Sequence, residues 1–203
     1  MALVFILLIF SQALAGFGRN RVDSLVVCNG AEYLVRYHRE HPYRLMHRHD
    51  FTHTSCVERI DAAPVEEDEL CDLKCDTLSG SGVVIDAAIL SAFTMEELKE
   101  NSHLKIDILF MLNPQGEIVE SYYLYENSET ITPQQIASLD QALFKALHFS
   151  VEKANLNEYR YLPASLSILL GEIYNRKHIG VHEGSKGAVL IPTDRGGIGR
   201  LNP

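Results

Sequence analysis

From residue 82 onward, apolar and polar positions fall into readable periods. His103–Leu112 alternates cleanly. Leu104, Ile106, Ile108, Phe110 and Leu112 share one face, because successive strand side chains point to opposite sides. Asn113-Pro114-Gln115-Gly116 then combines the preset φ of proline with the permissive one of glycine, a turn signature, and the Tyr-rich stretch Glu117–Tyr125 returns. Residues 103–125 therefore predict a β-hairpin. Thr132 is placed as an N-cap with Pro133 at the first helical position. Ile136, Leu139, Leu143, Ala146 and Leu147 lie on one stripe, predicting a helix over Pro133–His148. Thr94-Met95-Glu96-Glu97 has the form of a capping box, so a short helix is expected from Met95 to near Asn101. Gly82–Leu90 reads as a buried strand and Phe149–Lys153 as a short one. Leu166, Leu169, Leu170, Ile173 and Tyr174 recur at helical spacing, predicting a helix over 163–176. A hairpin cannot bury its apolar face alone. The expected fold is α+β: a small antiparallel sheet built on the hairpin 103–125 and packed by amphipathic helices 133–148 and 163–176.

The front half is less periodic. Ser24–Cys28 is a short strand candidate, broken by Asn29-Gly30. Ala31–Glu40 shows helical spacing through Leu34, Val35 and His38, and Pro42 would end that helix. Arg44–Cys56 is rich in His and Arg and has no clear period. Glu58–Asp76 carries Glu58, Asp61, Glu66, Glu67, Asp68, Glu69, Asp72 and Asp76 against Arg59 and Lys74, the composition of a solvated loop. It lacks the alternating ligands, glycine turn and closing Glu of a calcium loop. Residues 177–203 are glycine-rich and aperiodic, the pattern of a flexible C-terminal tail.

The first residues change the picture of where the chain works. Ala2–Phe10 is apolar throughout, Ser11-Gln12 interrupts it, and Ala13-Leu14-Ala15 is an A-x-A site. These are the h-region and cleavage site of a secretory signal, so residues 1–15 are expected to be removed before Gly16. No Lys or Arg precedes the run; either the free amino terminus supplies the positive charge or the start lies upstream of Met1. A membrane anchor would need about 20 apolar residues, more than this run has. No other stretch approaches that length, so no membrane span is expected after cleavage and the protein is placed as secreted or periplasmic. In an oxidising compartment the four cysteines, Cys28, Cys56, Cys71 and Cys75, are expected to form disulfides. Three pairings are open, with Cys28–Cys56 and Cys71–Cys75 favoured. All four cysteines fall within 16–81, making that Cys/His part the stapled one and 82–176 the α+β core.

The 203 residues, 46% hydrophobic and 22% charged, suit one domain with a small appendage and exclude a disordered or collagen-like chain. With 18 Lys+Arg against 27 Asp+Glu the net charge is −9. Such a field opposes phosphate neutralisation, so no nucleic-acid partner is expected.

Candidate chemistry is sparse. His47, His49 and His53 stand beside His38, His41 and Asp50. On a strand His47 and His49 would share a face, and on a helix His49 and His53 would, so either geometry offers two imidazoles to a zinc-type ion. The order His47-Arg48-His49-Asp50-Phe51-Thr52-His53 departs from the metallo-β-lactamase H-x-H-x-D-H motif, with the Asp one place early and no His directly after it. Ser79-Gly80-Ser81-Gly82 is not a nucleophile elbow, and Cys71-x-x-x-Cys75 has one residue too many for a thioredoxin-type pair. Gly184-Ser185-Lys186-Gly187 and Gly196-Gly197-Ile198-Gly199 lack the order of a phosphate loop or dinucleotide fingerprint. No catalytic residues are assigned and no cofactor is expected.

The alternating strand, the Asn113–Gly116 turn, the return strand from Ile118 and the helix leading into Phe149 together resemble the ββα unit of TonB C-terminal domains over residues 106–153. The resemblance implies docking of a protein partner in the bacterial periplasm by strand addition. The chain departs from that family in lacking an N-terminal membrane helix and a Pro-rich spacer. It also has a Cys/His half of its own. The expected function is accordingly a non-enzymatic, exported binding protein that meets another protein through a sheet edge or the Tyr-rich hairpin, with metal binding at His47, His49 and His53 as the alternative.

Overall fold

The computed structural model describes residues 21–38, 42–50, 58–59, 74–77, 81–126, 128–152 and 159–179. Nine strands occur in them: β1 (Arg21–Cys28), β2 (Ala31–His38), β3 (Tyr43–Arg48), β4 (Glu58–Arg59), β5 (Lys74–Thr77), β6 (Lys105–Leu112), β7 (Ile118–Glu126), β8 (Phe149–Glu152) and β9 (Tyr159–Leu169). Four helices accompany them: α1 (Ser81–Ala92), α2 (Met95–Glu100), α3 (Pro133–Ala146) and α4 (Leu170–Ile179). The main sheet is antiparallel in the order β1-β2-β3-β7-β6-β9, with the two-residue β4 beyond β9; β5 and β8 form a separate pair. The α+β class is as the periodicity predicts.

The hairpin predicted at 103–125 is β6 and β7, and it lies in the middle of the sheet. Ile106, Ile108, Phe110 and Leu112 join the main core, together with Tyr33, Val35, Met46, Tyr123 and Tyr125 from neighbouring strands. Helix α3 presses Ile136, Leu139 and Leu143 onto that core, and α1 packs against α3. The opposite face carries a smaller buried cluster of Leu45, Leu109, Met111, Tyr122 and Leu124. The predicted capping box at Thr94 closes, and the N-cap at Thr132 forms a second. Glu97 N donates to Thr94 Oγ1 at 3.2 Å while Thr94 N donates to Glu97 Oε2 at 2.7 Å, and Thr132 and Gln135 repeat the exchange at 3.3 and 2.8 Å. Gln135 Nε2 then donates to Glu97 Oε1 at 3.0 Å, tying the two helix starts together.

Three predicted elements are corrected. Ala31–Glu40 is not a helix; β2 occupies Ala31–His38. Asn29 (φ 49) and Gly30 (φ 82) both adopt the left-handed conformation of a two-residue hairpin turn. The turn folds β2 back onto β1, with Cys28 opposite Ala31. Gly82–Leu90 is not a strand but most of α1. An apolar run fits a buried strand or a buried helix equally, and the 12-residue element that forms is longer than the usual strand. Residues 163–176 are divided: β9 runs to Leu169 and only then does α4 begin. Leu162, Ala164 and Ile168 alternate into the core, and Pro163 is tolerated near the sheet margin, where its missing N–H breaks no ladder on β9's outer side. The signal at 1–15, the acidic loop centre and the tail from residue 180 lie outside the described residues. Among the described residues no helix is long and apolar enough to cross a membrane.

Candidate functional site

Three features of the sheet could carry function: the histidine-bearing strand β3, the polar group buried under α3, and the edge strand β1.

His47 is 5% exposed and faces away from the helices, directly opposite Tyr122 of β7. The two rings stand 5.2 Å apart, tilted by 43°. Its Nδ1 lies 2.8 Å from the Arg48 carbonyl. A carbonyl only accepts, so Nδ1 carries the proton and Nε2 the lone pair. That Nε2 is buried without a hydrogen-bond partner. Burial lowers the His47 pKa below the usual 6.5, and the charges of Arg36 and His49 lower it further, against the backbone bond and Asp23. His49 follows on the same side but is exposed, its Nδ1 3.8 Å from Glu32 Oε2. His53 lies outside the described residues. Among the described residues no three His, Cys, Asp or Glu side chains are grouped to hold an ion. Beside His47, Glu120 is buried and accepts from the Tyr122 hydroxyl at 2.8 Å.

The group under α3 is built on Asp140, 1% exposed. Its Oδ2 accepts from the Tyr33 hydroxyl at 2.9 Å and from Arg48 Nε at 3.0 Å. Its Oδ1 accepts from Ser121 Oγ at 2.5 Å and from the Tyr123 hydroxyl at 3.1 Å. Four donors from β2, β3 and β7 thus converge on one helix carboxylate. Burial pushes the Tyr33 and Tyr123 hydroxyls well above the ordinary tyrosine range, and the Asp140 charge pushes them further. Burial opposes the charge on Arg48, yet Asp140 outweighs it and the pKa rises. The guanidinium also lies 4.3 Å over the Phe144 ring, a cation–π contact. With both carboxylate oxygens saturated and both phenols held neutral, the group is a joint between helix and sheet and has no spare base to offer. One signal in the sequence points to it: Asp140 falls inside the apolar stripe of α3, four residues after Ile136 and three before Leu143.

Strand β1 ends the sheet and has β2 as its one strand neighbour among the described residues. His49 N donates to Glu32 O at 2.8 Å, so the backbone of Glu32 turns toward β3 and that of Ala31 toward β1. By the two-residue alternation of the ladder, Cys28, Val26 and Ser24 bond inward to β2. Asp23, Leu25 and Val27 direct their N–H and C=O groups outward. Leu25 is 52% and Val27 64% exposed, side by side on the face away from α3. The turn end of this strand is anchored. Gln141 Nε2 of α3 donates to Cys28 O at 3.1 Å, and Asn29 Nδ2 donates to Gln141 Oε1 at 3.0 Å.

The cysteine staple is corrected here. Cys28 is a free thiol, its Sγ 4.0 Å from Gln134 O and its side chain packed against the main core. The favoured Cys28–Cys56 pair is therefore not formed, and Cys28 serves as a packing residue where the hairpin meets α3. Cys75 stands in β5 opposite Val151; Cys56 and Cys71 lie outside the described residues. The Tyr-rich hairpin is likewise no surface. Tyr122, Tyr123 and Tyr125 are all buried, because β7 is flanked by β3 and β6.

No family model matches the chain, and no curated protein matches it. Among solved structures, the crystal structure of a DUF5043 family protein from Bacteroides uniformis ATCC 8492 is similar, with a TM-score of 0.58 and 12% sequence identity. The match covers 73% of this chain and 92% of that one. At that identity the likeness is one of fold.

Proposed function

We propose that the chain is an exported, non-enzymatic binding protein that accepts an extended segment of a partner protein as an added strand on β1. One observation carries the reading: an eight-residue strand stands at the sheet margin with Leu25 and Val27 exposed on one face. Main-chain groups at Leu25 and Val27 supply affinity to an incoming strand, and the two apolar side chains select alternating apolar residues in it. Export is supported by the apolar run and A-x-A site of residues 1–15 and is checked by the N-terminal residue of protein recovered from culture medium or periplasm, expected at Gly16.

The edge is tested with a short synthetic peptide alternating Val and Thr, capped at both ends. Amide exchange at Leu25 and Val27 is expected to slow on its addition. Val27→Pro removes an outward donor without touching the bonds to β2, so it should abolish the slowing and leave the fold intact. Unchanged exchange with the peptide, or equal slowing in Val27→Pro, overturns the proposal.

Metal binding is the second reading, favoured by the buried lone pair on His47 Nε2. A proton on Nδ1 bonded to a carbonyl is the arrangement that orients imidazole ligands. Stoichiometric zinc in tag-free protein, lost in His47→Gln, would put this reading first.

A further inference from the structure

Helix α1 has more apolar surface than its packing uses. Ile85, Ala88 and Ile89 are buried against the core. Its outer side nevertheless presents Val83, 67% exposed, and Leu90, 37% exposed. Between α1 and α3 runs a groove of about 310 Å³ lined by Val83, Val84 and Ala87 of α1 and Ala142 and Ala146 of α3. A helix apolar on both sides is ordinarily covered on both.

The chain's own course indicates what covers it. Asp86 lies on the same stripe of α1, three residues after Val83 and four before Leu90. Arg176 Nη2 meets Asp86 Oδ1 at 2.7 Å and Lys177 Nζ meets Oδ2 at 3.4 Å, both from the last turn of α4. The last turn of α4 therefore lies beside the exposed stripe. Residues 180–203 follow, and their apolar run is Ala188-Val189-Leu190-Ile191, closed by Pro192. The eight residues 180–187 extend to about 26 Å. The 12-residue α1 is about 18 Å long, so the run can reach any part of the groove.

We infer that the segment Ala188–Ile191 of the C-terminal region docks in the groove between α1 and α3, covering Val83 and Leu90. Contact between apolar side chains supplies the attraction, and the ion pairs at Asp86 fix where the segment enters. The occupant belongs to the same chain, so docking is independent of protein concentration.

The chain contains no Trp, so Val83→Trp in the full chain is a single fluorescent reporter at the groove. Its emission is expected to be blue-shifted as for a shielded indole. Adding Val189→Asp and Leu190→Asp should return it to that of a water-exposed indole, with the far-UV circular dichroism unchanged. Emission typical of an exposed indole in the parent reporter overturns the inference. So does a blue shift that survives the two Asp substitutions, and so does one that appears only as concentration rises, which would make a second copy the occupant.

Discussion

Two buried ionisable residues illustrate opposite solutions to the cost of removing polarity from water. Asp140 is met by four donors, one of them the Arg48 cation. Removing one partner of such a pair strands the other. Asp140→Ala is expected to destabilise the fold by about 3–5 kcal/mol, read from the shift in urea midpoint, whereas Ser121→Ala, which leaves three donors in place, should cost about 1 kcal/mol. His47 takes the other course and is held neutral. Its folded pKa is lowered, chiefly by burial, so below the unfolded value of about 6.5 the unfolded chain binds the extra proton. Stability associated with His47 is thus fully present above that value and is lost as pH falls toward and through the lowered one. Arg36 and His49 of the flanking positions act in the same direction, Asp23 against them, and Tyr122 faces the ring from β7. Urea midpoints at pH 7.5 and 5.5 should converge when His47→Gln removes this site's contribution. At this scale the sequence was half legible. Asp140 is a charge within the apolar stripe of α3, a signal the sequence reading passed over, and its donors Tyr33 and Arg48 lie more than 90 positions away, so only the strand order brings them together.

Element by element, what the sequence disclosed followed how local the physics was. The capping box at Thr94, the N-cap at Thr132 and the turn at Asn113–Gly116 involve neighbours three or four residues apart, and all three form as read. The choice between strand and helix for Ala31–His38 and Ser81–Ala92 depended on distant packing, and periodicity alone favoured the wrong state in both. Asn29-Gly30 was nonetheless a local cue, since two left-handed residues between apolar runs close a hairpin. The two turn glycines separate conformational strain from steric exclusion. Gly30 has open space where a Cβ would stand, so Gly30→Ala meets backbone strain alone, about 1–2 kcal/mol. At Gly116 a Cβ would fall on the Phe149 carbonyl oxygen, in the segment where Phe149 N donates to Gly116 O at 3.1 Å. Gly116→Ala must in addition displace the start of β8. Thermal melts of the two variants should therefore show the larger loss at Gly116, although both glycines share nearly the same φ.

Among the described residues, the sheet grades from a doubly covered centre to a margin with a single strand neighbour. Strands β6 and β7 have neighbours on both sides and buried apolar residues on both faces, Ile108 and Phe110 toward the helices and Leu109 and Met111 away from them. Opening them requires breaking two ladders and exposing two clusters, which approaches global unfolding. Opening β1 requires breaking one ladder and exposes residues that are already half in water. Native-state amide exchange should accordingly be slowest in β6 and β7 and fastest in β1 within the main sheet. Within β1 it should alternate, with Val26 and Ser24, bonded to β2, slower than Leu25 and Val27, whose N–H groups point outward. That alternation bears directly on function, because an edge can recruit a strand only while its donors are free. A Val27 amide exchanging as slowly as that of Val26 in the isolated protein would mean that the margin is already occupied, leaving strand addition at β1 no room to operate.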